Sequence, residues 1–127
     1  SRELGDVYKR QILKDWLNAV SRMTEMVNSS KNYADGAVSI YLEIQKFESV
    51  YKNVWKQYSE TVGSHGIILD HHMQLRAQIS KLLDLLAKST GCERLCESSP
   101  IIAEAIIAAT LQQDMNELTI RRFAELL

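Results

Sequence analysis

The side chains best suited to chemistry fall in two groups. Asp70, His71 and His72 are consecutive, His65 lies one heptad before His72, and Cys92 and Cys96 form a C-x3-C pair. Imidazole and thiolate are zinc ligands, and a structural zinc site needs four of them converging tetrahedrally. The spacing opposes that. Neighbouring histidines on a helix point about 100° apart, and His65 and His72 share a face but sit roughly 10.5 Å from each other. His72 is expected to lie near a helical seam, its nitrogens satisfied by an interhelical partner, with Asp70 and His71 exposed. Cys92 and Cys96 are expected to be small buried hydrophobes on a short turn.

Other chemistries fail on spacing too. Di-iron bundles repeat Glu-x-x-His on two helices, and no glutamate here is followed three residues later by histidine. No phosphate-cradling G-x-x-x-x-G-K-[ST] or G-x-G-x-x-G and no G-x-S-x-G nucleophile turn occurs, and five glycines leave little material for one. No histidine has an arginine four to six residues before it, which excludes a helical Arg-x4-6-His nuclease. Glu43 and Glu48 belong to a charged helix surface. No catalytic, metal or cofactor-binding residue is assigned, and a non-enzymatic protein without a cofactor is expected.

One constellation favours binding. Tyr33, Tyr41, Phe47, Tyr51, Trp55 and Tyr58 are interleaved with Lys46, Lys52 and Lys56, and aromatics beside lysines can stack and hold single-stranded nucleic acid. Helical spacing draws Phe47, Tyr51 and Tyr58 into a core seam, which leaves Tyr41 and Trp55 for solvent. Lys46, Lys52, Trp55 and Lys56 are the candidate nucleic-acid contacts, with Arg76 or Lys81 extending the face. Fifteen basic against sixteen acidic residues, a net charge of -1, give no global field to reinforce it.

These residues must be positioned by helices. One proline and five glycines in 127 residues cluster the breakers at 28–32, 62–66 and 89–100, and no stretch alternates with period two. Three breaks give an all-α, up-and-down four-helix bundle with a long second helix. Leu13, Trp16, Val20, Met23 and Val27 form the first seam. Ala37, Ile40, Ile44, Phe47, Tyr51, Val54 and Tyr58 form the second, on a helix of residues 33–62 whose opposite face carries Glu48, Lys52, Lys56 and Glu60. Ile68, His72, Leu75, Ile79, Leu82 and Leu86 form the third, which Gly91 should end in a left-handed conformation. Ser99 followed by Pro100 reads as the cap and first turn of the fourth.

That fourth helix begins apolar on nearly every side and becomes amphipathic through Met115, Leu118, Phe123 and Leu126. A bundle helix buries one stripe, so the surplus at Ile101, Ile102, Ile106 and Ile107 calls for a subunit interface or a cover from the loops. The apolar run over 101–109 contains Glu104 and is far short of the about 20 residues of a membrane span.

Asp6-Val7-Tyr8-Lys9-Arg10-Gln11 is the translation of GATGTGTATAAGAGACAG, which resembles the mosaic end of a transposon-based sequencing adapter. The resemblance implies an assembled environmental, prokaryotic read, a non-native leader over 1–11 and a single domain over 12–127, with no site assigned to the leader. With 46% hydrophobic residues the domain should fold. Two cysteines are too few for a disulfide scaffold and point to the cytoplasm. The expected function is a helical interaction module, a subunit or adaptor of a larger protein assembly that self-associates and does not touch membranes. The alternative is a small all-α nucleic-acid-associated subunit of a ribonucleoprotein complex.

Overall fold

The computed structural model describes residues 2–58, 71–112 and 116–127, and the side chains of 6–52, 71–112 and 116–127. Among the described residues five α-helices pack together: α1 (Arg2–Ser29), α2 (Tyr33–Tyr58), α3 (His72–Ser89), α4 (Ser99–Leu111) and α5 (Glu117–Leu126), with a 3-10 turn over Glu93–Ser98. No described helix is long and apolar enough to cross a membrane.

Cross-helix contacts fix the directions. Arg22 reaches Glu43 at 3.4 Å and Trp16 meets Phe47, so α1 and α2 run antiparallel. Trp16 bonds to Gln78 and Ser89 to the Val27 carbonyl, so α3 runs parallel to α1. Arg76 to Glu104 and Ser99 to Asp84 make α4 antiparallel to α3. Arg121 to Asp35, with Glu117 near Tyr41, makes α5 antiparallel to α2. Direction therefore alternates along the described helices.

The expected fourth helix is two. Its ladder stops at Leu111, Gln112 is extended at φ -111°, ψ 129°, and Asn116 restarts the chain by accepting from the amides of Leu118 and Thr119. The break resets the phase of the apolar stripe. Ile120 and Ala124 are buried and Phe123 partly so, while the expected Leu118 and Leu126 are 52% and 85% exposed and Met115 lies outside the described residues.

The second helix is not the longer of the described pair: α1 has 28 residues and α2 has 26, its expected continuation to residue 62 lying outside the described residues. The α1 helix includes residues 2–11. Its buried stripe is Ile12, Trp16, Ala19, Met23 and Val27, so Leu13 faces outward at 58% and Val20 is only partly buried. Steps of 4, 3, 4 and 4 centre that stripe between α2 and α3, one residue off the expected start.

The helix most enclosed by its neighbours is the first half of α2, which touches each of the other four. Tyr33, Ala34, Gly36, Ala37, Val38, Ile40 and Tyr41 are all buried. Small side chains let the neighbours close in: a Cβ on Gly36 would stand 2.2 Å from Cδ1 of Leu86. Farther along, Ile44 and Phe47 continue the expected seam, but Glu48, assigned to the solvated face, is only 5% exposed. Lys52 is exposed as expected; Lys56 and Glu60, like Val54 and Tyr58 of the seam, lie outside the described side chains.

The α3 boundaries follow local chemistry. Leu75, Ile79, Leu82 and Leu86 are buried, and Gly91, at φ 74°, is where the chain leaves the helix. The expected start near Gly66, with Ile68, lies outside the described residues. At α4 the helix begins at Ser99 with Pro100 in its first turn, but the cap position is Ser98. Ser99 is 1% exposed and donates its hydroxyl to Oδ1 of Asp84 at 2.6 Å. Its role is a cross-helix bond in place of a cap.

Candidate functional site

Between the parallel helices α1 and α3 lies a cleft of about 220 Å³, backed by α2 and lined by Lys9, Ile12, Leu13, Trp16, Phe47, His71, Gln74, Leu75 and Gln78. Its floor is apolar, made by Ile12, Trp16, Phe47 and Leu75, each less than 10% exposed. The rim is polar. Trp16 donates its indole N–H to Oε1 of Gln78 at 2.8 Å, which fixes the ring across the two helices. Behind it the Phe47 ring meets Trp16 edge-on at 5.1 Å and Tyr51 at 5.0 Å. The Tyr51 hydroxyl donates to the Asp15 carboxylate, and this bond, followed by burial, raises the phenol's pKa above its ordinary value.

Chemically the cleft can hold an apolar group. Its volume is below the 300–1,000 Å³ typical of small-molecule sites, and its size suits one bulky side chain. Leu13 stands at the mouth, and Leu17, one turn on along the same face, is 56% exposed. On α3 the rim residues Gln74 and Gln78 continue in steps of 3 and 4 to Lys81 and to Leu85, which is 44% exposed. Beyond the cleft, Leu17 on one helix and Leu85 on the other are therefore exposed on the flanking faces.

The other polar clusters tie helices to each other. Nε2 of His72 is 2.9 Å from Oε2 of Glu104, and Arg76 donates to Oε1 at 3.2 Å. His72 first, then Arg76, holds the Glu104 carboxyl below the usual carboxylate range. His72 thus has the interhelical partner expected of it. At the other end of α3, Asp84 accepts from Ser99 beside the buried Tyr33 phenol, whose pKa is raised by burial and then by Asp84 and the two cysteines. Cys92 and Cys96 are free thiols, half-buried on the 3-10 turn and packed against the core.

Among the described residues no three His, Cys, Asp or Glu side chains are grouped to hold a metal ion. His65 and Asp70 lie outside the described residues, and His71 lines the cleft. Of the interface isoleucines, Ile102, Ile106 and Ile107 are 1%, 0% and 2% exposed inside the chain's own core. Only Ile101, at 65%, reaches solvent. Within the chain α4 lies among α2, α3, α5 and the 3-10 turn, which cover Ile102, Ile106 and Ile107.

The expected nucleic-acid face falls only partly within the described side chains. Lys46 and Lys52 are exposed, but Lys46 shares a shallow depression with Asp15 and Glu43, and Arg22 there pairs with Glu43. Trp55 and Lys56 lie outside the described side chains. Tyr41, expected in solvent, is 1% exposed, and Arg76 is engaged by Glu104. The α1/α3 cleft itself was not foreseen. Its signal was Ile12 beside Leu13 and Trp16 beside Leu17, two apolar stripes side by side where a bundle helix needs one.

No protein-family model, curated protein or solved structure matches the chain.

Proposed function

We propose that the protein is a non-enzymatic helical interaction module that self-associates, as a subunit or adaptor of a larger assembly, through the α1/α3 cleft. The observation that carries this reading is an aromatic-floored cleft flanked by exposed Leu13, Leu17 and Leu85. A groove between two helices is a common seat for an amphipathic helix, read by apolar anchors one or two turns apart. The face of α1 bearing Leu13 and Leu17 has that spacing and can enter the cleft of a second copy, as in a two-fold interface where one patch serves both partners. A reducing, cytoplasmic setting suits its two free thiols.

Hydrogen exchange on the intact protein, read at low and high concentration, tests this reading. Slower exchange with concentration, confined to residues 9–20 of α1 and 74–85 of α3, is the expected footprint. Concentration-independent exchange there, with protection arising instead on α2 near Lys46 and Lys52 when single-stranded nucleic acid is added at low salt, would replace it with the nucleic-acid reading.

A further inference from the structure

The α5 helix is set apart from the rest by its own boundaries. The extended backbone at Gln112 and Asn116 means that no helical ladder runs from α4 into α5, and the Asn116 side chain closes the first turn of α5 by itself. A helix of ten residues does not persist alone in water, so α5 is helical only while docked. It docks closely on α2 but buries few side chains. Ile120 and Ala124 are buried, Phe123 is partly buried, Arg121 reaches Asp35 at 2.6 Å, and Arg94 donates to the Leu127 carbonyl at 2.7 Å. Both polar ties are solvent-exposed or half so, where such bonds contribute little.

What α5 covers is imperfectly satisfied. Asp35 and Tyr41 both face it, through Arg121 and Glu117, and Val38 lies between them at steps of three along α2. Val38 and Tyr41 are 5% and 1% exposed, and the Tyr41 hydroxyl has no hydrogen-bond partner among the described residues. A buried hydroxyl without a partner has lost its hydration and regains it when uncovered, which favours opening at this position.

We propose that α5 is a strap that undocks as one unit while α1 to α4 stay folded, uncovering an apolar strip of α2 at Val38 and Tyr41. The strip is separate from the α1/α3 cleft, so the strap gates a second surface. Units of this kind open at free energies below that of global unfolding.

The test is native-state hydrogen exchange in sub-denaturing urea on the intact wild type and on Ile120→Ala, Arg121→Ala and Tyr41→Phe. The α5 amides are expected to exchange roughly tenfold or more faster than those of Ile40 and Ile44, with a weaker urea dependence. Arg121→Ala should speed them a few-fold, in keeping with an exposed ion pair. Ile120→Ala should abolish α5 protection while the remaining helices keep their thermal midpoint, because the loss cannot exceed what it takes to open the strap. Tyr41→Phe should slow α5 exchange by removing the group that gains water on opening. A shared urea dependence and equal protection in α2 and α5, with Ile120→Ala lowering the midpoint of the whole molecule, would overturn the proposal.

Discussion

Replacing Gly36 with alanine probes the close contact of α2 with Leu86 of α3. The new Cβ would stand 2.2, 2.7 and 3.0 Å from Cδ1, Cδ2 and Cγ of Leu86. Turning χ2 of Leu86 moves its two methyls but not Cγ, and turning χ1 would swing the side chain within a fully buried site, so the strain passes to α3 itself. Overpacking of this kind costs about 1–3 kcal/mol. Against it stands the helix preference for alanine over glycine, about 1 kcal/mol. The steric term outweighs it, since all three Leu86 atoms fall at or inside 3.0 Å, leaving a net loss of up to about 2 kcal/mol. For a domain of this length that lowers the thermal midpoint by up to about 10 °C in calorimetry. Leu86→Ala alone should cost about 2–5 kcal/mol, and the double variant less than the sum, because the added methyl occupies space that the shortened side chain vacates. A midpoint raised by Gly36→Ala, or strict additivity with Leu86→Ala, would refute the claim that glycine sets the α2–α3 spacing.

Three other outcomes follow from the polar contacts. Ser99→Ala should destabilise by about 1–3 kcal/mol in urea titration, since it removes a hydroxyl from a part-buried carboxylate that was to have only a local capping role. Tyr33→Phe should be neutral or slightly stabilising at pH 7, because the phenol oxygen is buried with no partner among the described residues. The wild type binds that proton more tightly folded than unfolded, so its stability should fall as pH rises past about 10, and Tyr33→Phe should flatten this alkaline loss. In acid the sign reverses for Glu104: its lowered pKa gives stability above the ordinary carboxylate range that is lost as pH falls through the folded value, and Glu104→Gln should remove that part of an acid titration followed by circular dichroism.

The helical class and most boundaries were legible because they rest on local chemistry. Gly91 ends α3 as a left-handed glycine, and Pro100 marks the start of α4. The split at residue 112 was not, because the apolar pattern runs on across it and only Asn116, a good capping residue in an unremarkable context, marks the restart. The same omission misdirected the interface: a single long helix leaves isoleucines over, whereas a broken one folds back and α4 is covered within the chain. Burial of Tyr41 and Glu48 was hidden for a related reason. A 3-4 seam identifies one face, and α2 is enclosed on several because α5 adds a neighbour that the sequence did not announce. The cleft residues were visible as a doubled stripe, but the parallel placement of α3 beside α1 is a tertiary fact that no local spacing encodes.

Self-association through the cleft is tested most directly by light scattering over a concentration series, comparing wild type with a Leu13→Glu, Leu17→Glu double variant whose circular dichroism is unchanged. Both leucines are more than half exposed, so the charges should leave the fold intact. A wild-type mass that rises to a dimer or higher, with a variant that stays monomeric, is the predicted result. A wild type that remains monomeric at every concentration, or a variant that assembles equally well, would contradict it.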